Sequence, residues 1–358
     1  MLILFSKPEK ITFFPSPSFV PRSPLHNTMD PPFEEKYKSL LTNATLLSKD
    51  KDYVIMSDYE EHELPIIDLH RLTLSFSERE QCVKEIRQAA REWGFFQVVN
   101  HGIPQEILEG IQLEQRKAFH RPFSKKAEEN ILNLSCYTWG NPTATCLRQL
   151  SWLEVFHIPL TDISKISGEY KSLRESIEAY TATAEKLAED LSEILAENLG
   201  VSSTFFQENC LPETSYLRMN RYPPCPFSSE VLGALPHTDS CFVNVLNQDQ
   251  IGGLQLWMNE KWISVKPNPK ALIINIGDLF QVASNDVYKS IRHRVLASKQ
   301  AERFSLAYLY CPRKDAVIES TGMKPSMYRK FTFGELTEQN ARDVKETGNK
   351  GGIPRFLV

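Results

Sequence analysis

The stretch ALPHTDSCFVNVL, residues 234 to 246, sets His237 and Asp239 two apart inside an apolar, β-prone run. On a strand such residues project to one face. Two bare polar groups turned into a barrel interior are costly unless something binds them, and a metal ion is the obvious partner. The pair alone is a weak signal, because satisfied histidines are common in protein cores. A third ligand has to arrive from a distant strand, and YKSIRHRVL supplies His293. Two histidines and one carboxylate on one face of a metal leave positions open, which suits a ferrous oxygenase. Structural zinc would instead fill all four of its positions, usually with N or S ligands.

Ten residues past His293, RFSLAYL places Arg303 and Ser305 two apart, again on one strand face. A guanidinium inside a barrel needs an anion, and its planar fork matches a carboxylate bidentately. Upstream, RMNRYPPCP offers Asn220 and Tyr222 at the same spacing, able to hydrogen-bond a bound acid. The combination of H-x-D, a distant His and R-x-S is far more specific than any of its parts. Arg294, adjacent to His293, should point to the opposite face and serve structure.

These residues need a scaffold. Closely spaced short strands broken by Pro, Gly, Asn and Asp run through SYLRMNRYP, CFVNVLNQ, GGLQLWM, KWISVKP, ALIINIG, HRVLAS and RFSLAYLYCP. Such texture indicates a sandwich or barrel, here an antiparallel double-sheet barrel over residues 213–312. Leu173, Ile177, Tyr180, Ala184, Leu187, Leu191 and Leu195 recur at helical spacing within 169–199 and predict a long bracing helix stopped by Gly200. Further upstream, LPIIDLHRL (64–72) and FFQVVNHGI (95–103) read as strands. Helices are expected from about Ser77 to Gly94, with Ser77 as N-cap and Glu80 three residues on, and over 105–119. The organisation expected is an extension (1–28), an N-terminal region (60–165), bracing helices (166–212), the barrel (213–312) and a C-terminal segment (313–358).

The bulk numbers exclude several classes. The 358 residues are 41% hydrophobic and carry a formal charge of −4, so no basic footprint for nucleic acid is present. No apolar run is long enough for a membrane span. Seven scattered cysteines without a CxxC pair argue against structural zinc or a disulfide framework and for a reducing, cytoplasmic setting. Residues 1–28, rich in Pro, Ser and Phe with Glu9 as their single acid, read as a disordered extension with Met29 as an alternative start. Their composition also suits a plastid transit peptide.

The chain resembles the plant 2-oxoglutarate- and iron(II)-dependent dioxygenases from about Met29 to Val358. ELPIIDL, WGFFQVVNHGI, NRYPPCP, PHTD, QIGGLQL, WISVKPNPKALIINIGDLFQ, SNDVYKSIRHRV, ERFSLAYLYCP and GIPRFL carry the likeness. YTWGNPTATCLRQLSWLEVFHIP (137–159) and MDPPFEEKY (29–37) narrow it to the gibberellin 2-oxidases that act on twenty-carbon gibberellins. The resemblance implies a mainly β fold with flanking α elements: a double-stranded β-helix (jelly-roll) core, an N-terminal mixed α/β part and the bracing helix. It implies Fe(II) on His237, Asp239 and His293, and 2-oxoglutarate chelating that iron while its far carboxylate meets Arg303 and Ser305, with Tyr222 nearby. It further implies molecular oxygen as co-reactant, ascorbate as a helpful reductant, succinate and carbon dioxide as products, and hydroxylation of a diterpenoid acid at carbon 2, which inactivates the hormone.

A gibberellin pocket should be mostly apolar with a cation. Arg148 is the one Lys or Arg between Tyr137 and His157, so it is a candidate carboxylate partner, with Trp139, Trp152 and Phe156 as walls. Against this, the tryptophans can be plain core and Arg148 can pair with Glu154 on a surface. The match departs at Val243-Asn244-Val245-Leu246, where relatives usually read Leu-Thr-(Ile or Leu)-Leu, and at Asn247 and Ala283. These positions are expected to flank the iron site and to affect substrate fit. The alternatives are the same chemistry on another plant terpenoid or phenolic, and a non-enzymatic jelly-roll metal binder. The second has no use for the Arg303–Ser305 clamp.

Overall fold

A computed structural model describes residues 30–42 and 61–358, apart from 129–131, 133–135, 143, 198, 203, 322–324 and 348–349. The extension 1–28 lies outside the described residues.

Two sheets face each other. The smaller runs in the order Glu61–His62, Lys261–Val265, Leu254–Met258, His293–Leu296, Leu232–His237. The larger runs Ile66–Asp68, Phe95–Val99, Leu272–Ile276, Val243–Gln248, Arg303–Tyr310, Tyr216–Tyr222, Glu154–Pro159, Tyr137–Trp139. All seven strands expected after residue 213 are present. The sheets are mixed and not closed. The barrel strands pair antiparallel, whereas Glu61–His62 and Ile66–Asp68 join by parallel pairing. Five strands upstream of residue 213 thus complete the two sheets. LPIIDLHRL yields only a three-residue strand, because Asp68 accepts from the His70 amide and caps a 3-10 turn over Leu69–Thr73.

Between the sheets, Leu254, Leu256 and Val295 meet Val155, Tyr222 and Ile273. The outer face of the larger sheet is covered by helices. Gln105–Phe119 forms as expected, and the bracing helix runs Lys171–Ala196 with the anticipated stripe buried. It packs on Gln105–Phe119 and on the strands Val243–Gln248 and Arg303–Tyr310. The chain leaves the helix before Gly200, which sits at φ +76°. The first long helix spans Phe76–Glu92, and its cap is Ser75, whose hydroxyl accepts from the Glu78 amide. Ser75 and Glu78 have the same S-x-x-E spacing as Ser77 and Glu80, one pair earlier. Among the described residues no helix is long and apolar enough to cross a membrane.

The cysteines make a direct check on this packing. All seven are free, six are buried, and Cys146 is exposed. Burial pushes the Cys136 and Cys225 thiols up to about 12, so neither supplies thiolate at neutral pH. Native protein should titrate a single fast thiol with a disulfide reagent, lost in Cys146→Ser, and all seven in denaturant. A second fast thiol in the native state would contradict the packing described.

Candidate active site

His237 ends the strand Leu232–His237 and stands in register with His293, the first residue of its neighbour. Their rings lie 4.3 Å apart, centroid to centroid. Asp239 lies beyond the strand, so strand alternation does not bring it round to the histidines, contrary to expectation. Hydrogen bonds aim it instead: Asn244 Nδ2 and Asn275 Nδ2 both donate to Asp239 Oδ2, at 2.8 and 2.6 Å. The loop itself is clamped by amides from the turn that follows Ile276. Asp278 N donates to Asp239 O, and Gly277 N to Phe242 O. Only glycine permits this approach, since a Cβ at 277 would fall 2.1 Å from Cys241 O.

The histidine nitrogens are sorted by the backbone. His237 Nδ1 is 2.8 Å from Leu235 O and His293 Nδ1 is 3.0 Å from Ile291 O. A carbonyl can only accept, so each Nδ1 carries the proton and each Nε2 presents a lone pair. Those Nε2 atoms lie 3.7 and 3.8 Å from the Asp239 carboxylate oxygens. One ligand atom from each residue falls within a 4.8 Å cluster. Burial, reinforced by His293, holds His237 well below the ordinary imidazole range. Burial opposes the charge of Asp239, but the two imidazoles and Asn244 outweigh it and keep the carboxyl low. A divalent cation bound here would require both imidazoles neutral and the carboxyl ionised.

Deeper in the barrel, Arg303 and Ser305 stand opposite Tyr222 and Asn220. The guanidinium lies 4.8 Å over the Tyr222 ring. Its Nε donates to Gly252 O (2.6 Å) and Nη2 to Gln248 Oε1 (2.8 Å), with Nη1 3.4 Å from Ser305 Oγ. Asn220 Nδ2 donates to the same hydroxyl at 3.2 Å. Among the described residues no carboxylate pairs with Arg303 although it is buried, and Gln248 Nε2 beside it is a buried donor without an acceptor. An entering carboxylate would satisfy both.

The remaining candidates stand on other elements. Trp152 is wholly buried, stacked 4.3 Å from Phe33, and its amide bonds Leu232 O, at the opposite end of that strand from His237. Trp139 packs against Phe33, Tyr37 and Phe123. Both tryptophans thus pack on the N-terminal segment through Phe33. Phe156 sits in the outer core against Phe119. Arg148 falls in the 3-10 turn Leu147–Gln149, and its side chain lies outside what is described. Glu154 is not on a surface: it is fully buried between Lys126 and Arg221. Arg294 is structural as expected, bonded to Gln255 and 4.2 Å over Trp262.

Of the departures, Asn244 holds the Asp239 carboxylate. Asn247 faces outward to Gln112, and Ala283 lies in the main core. Sequence reasoning missed Asn275, Gln248 and Asp278. The last is a buried carboxyl pushed up to about 6 by burial, accepting from Thr238 on one side of Asp239 and Ser240 on the other. The available signal was an amide or acid set inside an apolar strand or at its end, as in IINIGD, since a buried polar group needs a partner.

The 2OG-Fe(II) oxygenase superfamily matches residues 213–312, and the N-terminal region of non-haem dioxygenase in morphine synthesis matches residues 64–177. Gibberellin 2-beta-dioxygenase 8 of Arabidopsis thaliana is 51% identical over 337 residues, covering 92% of this chain and 99% of that protein. The chain belongs to the 2OG-Fe(II) oxygenase superfamily. A second relative of this oxygenase, gibberellin 2-beta-dioxygenase 6 of Oryza sativa subsp. japonica, is 42% identical over 350 residues, 92% of this chain and 96% of its own. The crystal structure of JOX2 in complex with 2OG, Fe and JA superposes with a TM-score of 0.71 at 30% identity, over 89% of this chain and 96% of that one. The metal of this oxygenase is iron(II) and its cosubstrate is 2-oxoglutarate, and the donor set of the triad and the unpaired guanidinium suit both.

Proposed function

We propose that this oxygenase hydroxylates a gibberellin at carbon 2, with release of succinate and carbon dioxide. The single observation that carries the reading is the 51% identity, over nearly its whole length, to gibberellin 2-beta-dioxygenase 8. His237 Nε2, Asp239 and His293 Nε2 would hold the iron, and Arg303 with Ser305 and Tyr222 the far carboxylate of 2-oxoglutarate. Once bound, the iron and cosubstrate supply oxygen activation and removal of the hydrogen. The chain's own residues bind and orient. Leu235 O and Ile291 O fix the ring tautomers, Asn244 and Asn275 fix the carboxylate, and the apolar residues between the sheets keep water from the cosubstrate.

Purified protein with iron(II), ascorbate, 2-oxoglutarate and a panel of gibberellins should yield, by mass spectrometry, a product carrying one added oxygen and a matching amount of succinate. Succinate without any hydroxylated gibberellin would overturn the substrate assignment.

Arg303→Lys should raise the KM for 2-oxoglutarate strongly although the charge is kept. Lysine cannot reproduce the fork that reaches Gly252, Gln248 and an anion together, and a bond to a charged group contributes about 1.5–3 kcal/mol. An unchanged cosubstrate dependence would remove Arg303 from that role.

A further inference from the structure

The buried side of the helix Gln105–Phe119 is apolar except at one position. Gln115 is 1% exposed, set among Leu108, Ile111, Ala118 and Phe119. A buried amide is costly unless its hydrogens are used, so its partners identify the constraint it serves. Its Nε2 donates to Ser305 O at 2.9 Å and to Asn220 O at 3.2 Å. Ser305 and Asn220 stand opposite each other on neighbouring strands, and their side chains meet on the interior face, where Asn220 Nδ2 donates to Ser305 Oγ. Arg303, two residues earlier on the same face, brings Nη1 to that hydroxyl. One amide outside the barrel thus grips the two backbone positions whose side chains meet Arg303 inside it.

The rest of this helix face follows the same strand. Arg116 lies 4.4 Å over Phe304, the residue between Arg303 and Ser305, and Phe119 packs beside the same ring. Gln112, three residues before Gln115, donates to Asn247 on the next strand. Neither carbonyl depends on Gln115 to be satisfied. Both belong to a continuous antiparallel ladder, and a carbonyl keeps a second lone pair for a further bond. What the amide adds is geometry: a single nitrogen bonded to both carbonyls fixes the separation of the two strands at the level of Ser305 Oγ.

We propose that Gln115 is a positioning residue for 2-oxoglutarate. From the outer helix it sets the spacing of Ser305 and Asn220, and through them the hydroxyl and guanidinium that receive the far carboxylate. This rests on the assignment of that carboxylate to Arg303 and Ser305, and is independent of which molecule is hydroxylated.

The test is cosubstrate binding to the anaerobic iron(II) protein, read by growth of its visible charge-transfer band. Two probes are titrated: 2-oxoglutarate, and 2-oxopentanoate, which keeps the keto acid end and lacks the far carboxylate. Gln115→Met keeps the length of the side chain without its donors, and Gln115→Glu keeps its shape but sets an oxygen against two carbonyls. Both should weaken 2-oxoglutarate by about three- to tenfold, the range for losing one or two neutral hydrogen bonds, and shift 2-oxopentanoate by less than about twofold. Gln112→Leu, which removes the neighbouring bond to Asn247, should leave both probes within about twofold of wild type. In turnover the Gln115 variants should raise the KM for 2-oxoglutarate and keep kcat within about twofold. A dissociation constant is read from the folded fraction alone, so a less stable variant still reports. Equal weakening of the two probes in both Gln115 variants would make the residue merely structural and overturn the inference. An unchanged 2-oxoglutarate affinity would do the same, as would an effect of Gln112→Leu equal to that of Gln115→Met. Arg303→Lys separates this reading from the one beneath it. If that variant leaves 2-oxoglutarate affinity unchanged, the clamp falls and the role of Gln115 with it. If it weakens 2-oxoglutarate and the Gln115 variants do not, only the positioning role falls.

Discussion

Alanine at His237, Asp239 or His293 is expected to abolish turnover and iron retention one residue at a time. Three ligands hold the metal on one face, and the described residues place no fourth His, Cys, Asp or Glu in that cluster to compensate. Loss of Asp239 also removes the one negative charge of the set and leaves the amides of Asn244 and Asn275 without their shared acceptor. Those amides should have their own, smaller effect: Asn275→Ala is expected to cost about 10–100-fold in iron affinity, the usual range for a partner that orients a ligand. The measurement is the thermal midpoint with and without iron(II) under anaerobic conditions. Because the metal binds the folded state, it should raise the midpoint of the wild type and leave the three ligand variants unmoved. A ligand variant that kept near-native turnover, or a normal iron-dependent rise, would show that its residue is not a ligand.

The part of this site legible in the sequence is the part whose chemistry is carried by residue type. A histidine, an acid and an arginine set in apolar strands need partners wherever they go, so His237, Asp239, His293 and Arg303 stood out. Their strands were legible too, because turn residues separate them. What spacing could not supply was the mechanism of alignment. His237 and Asp239 were expected on one strand face, yet the strand ends at His237 and two asparagines from other strands aim the acid. The aromatic residues were ambiguous for a related reason. Trp139 and Trp152 are equally suited to a pocket wall and to a core, and only the arrival of Phe33 and Tyr37 from far upstream decides for the core. Arg221 was invisible as a special case, since one arginine among many stands out only when its partners, Glu154 and Glu302, are in place on the face of the strand opposite Asn220 and Tyr222.

There, Glu154→Ala is expected to destabilise the fold by about 3–5 kcal/mol, the cost of stranding buried charge. Glu154 and Lys126 are both fully buried, 2.6 Å apart, and the second carboxylate oxygen accepts from Arg221 at 2.5 Å. Tyr137 donates to Glu154 at 2.6 Å, and Lys126 reaches on to Asp30 at 3.0 Å. The carboxylate thus joins the strand Glu154–Pro159, the helix Phe123–Lys126 and the start of the described chain. Tyr137→Phe removes one hydrogen bond to a charged group and should cost less, about 1.5–3 kcal/mol. Replacing both charges by apolar residues, Lys126→Met with Glu154→Leu, should recover part of the loss, since what the single variant leaves behind is a buried cation whose remaining counter-charge is the half-exposed Asp30. Denaturation midpoints at constant m-value measure all three. A Glu154→Ala cost under about 1 kcal/mol would place the pair among weak surface bridges and contradict its burial. The site should feel the change as well. Arg221 alternates with Asn220 and Tyr222 along one strand, so loosening its anchor shifts the wall beneath Arg303. The variant should accordingly show a raised KM for 2-oxoglutarate even at temperatures where it remains folded.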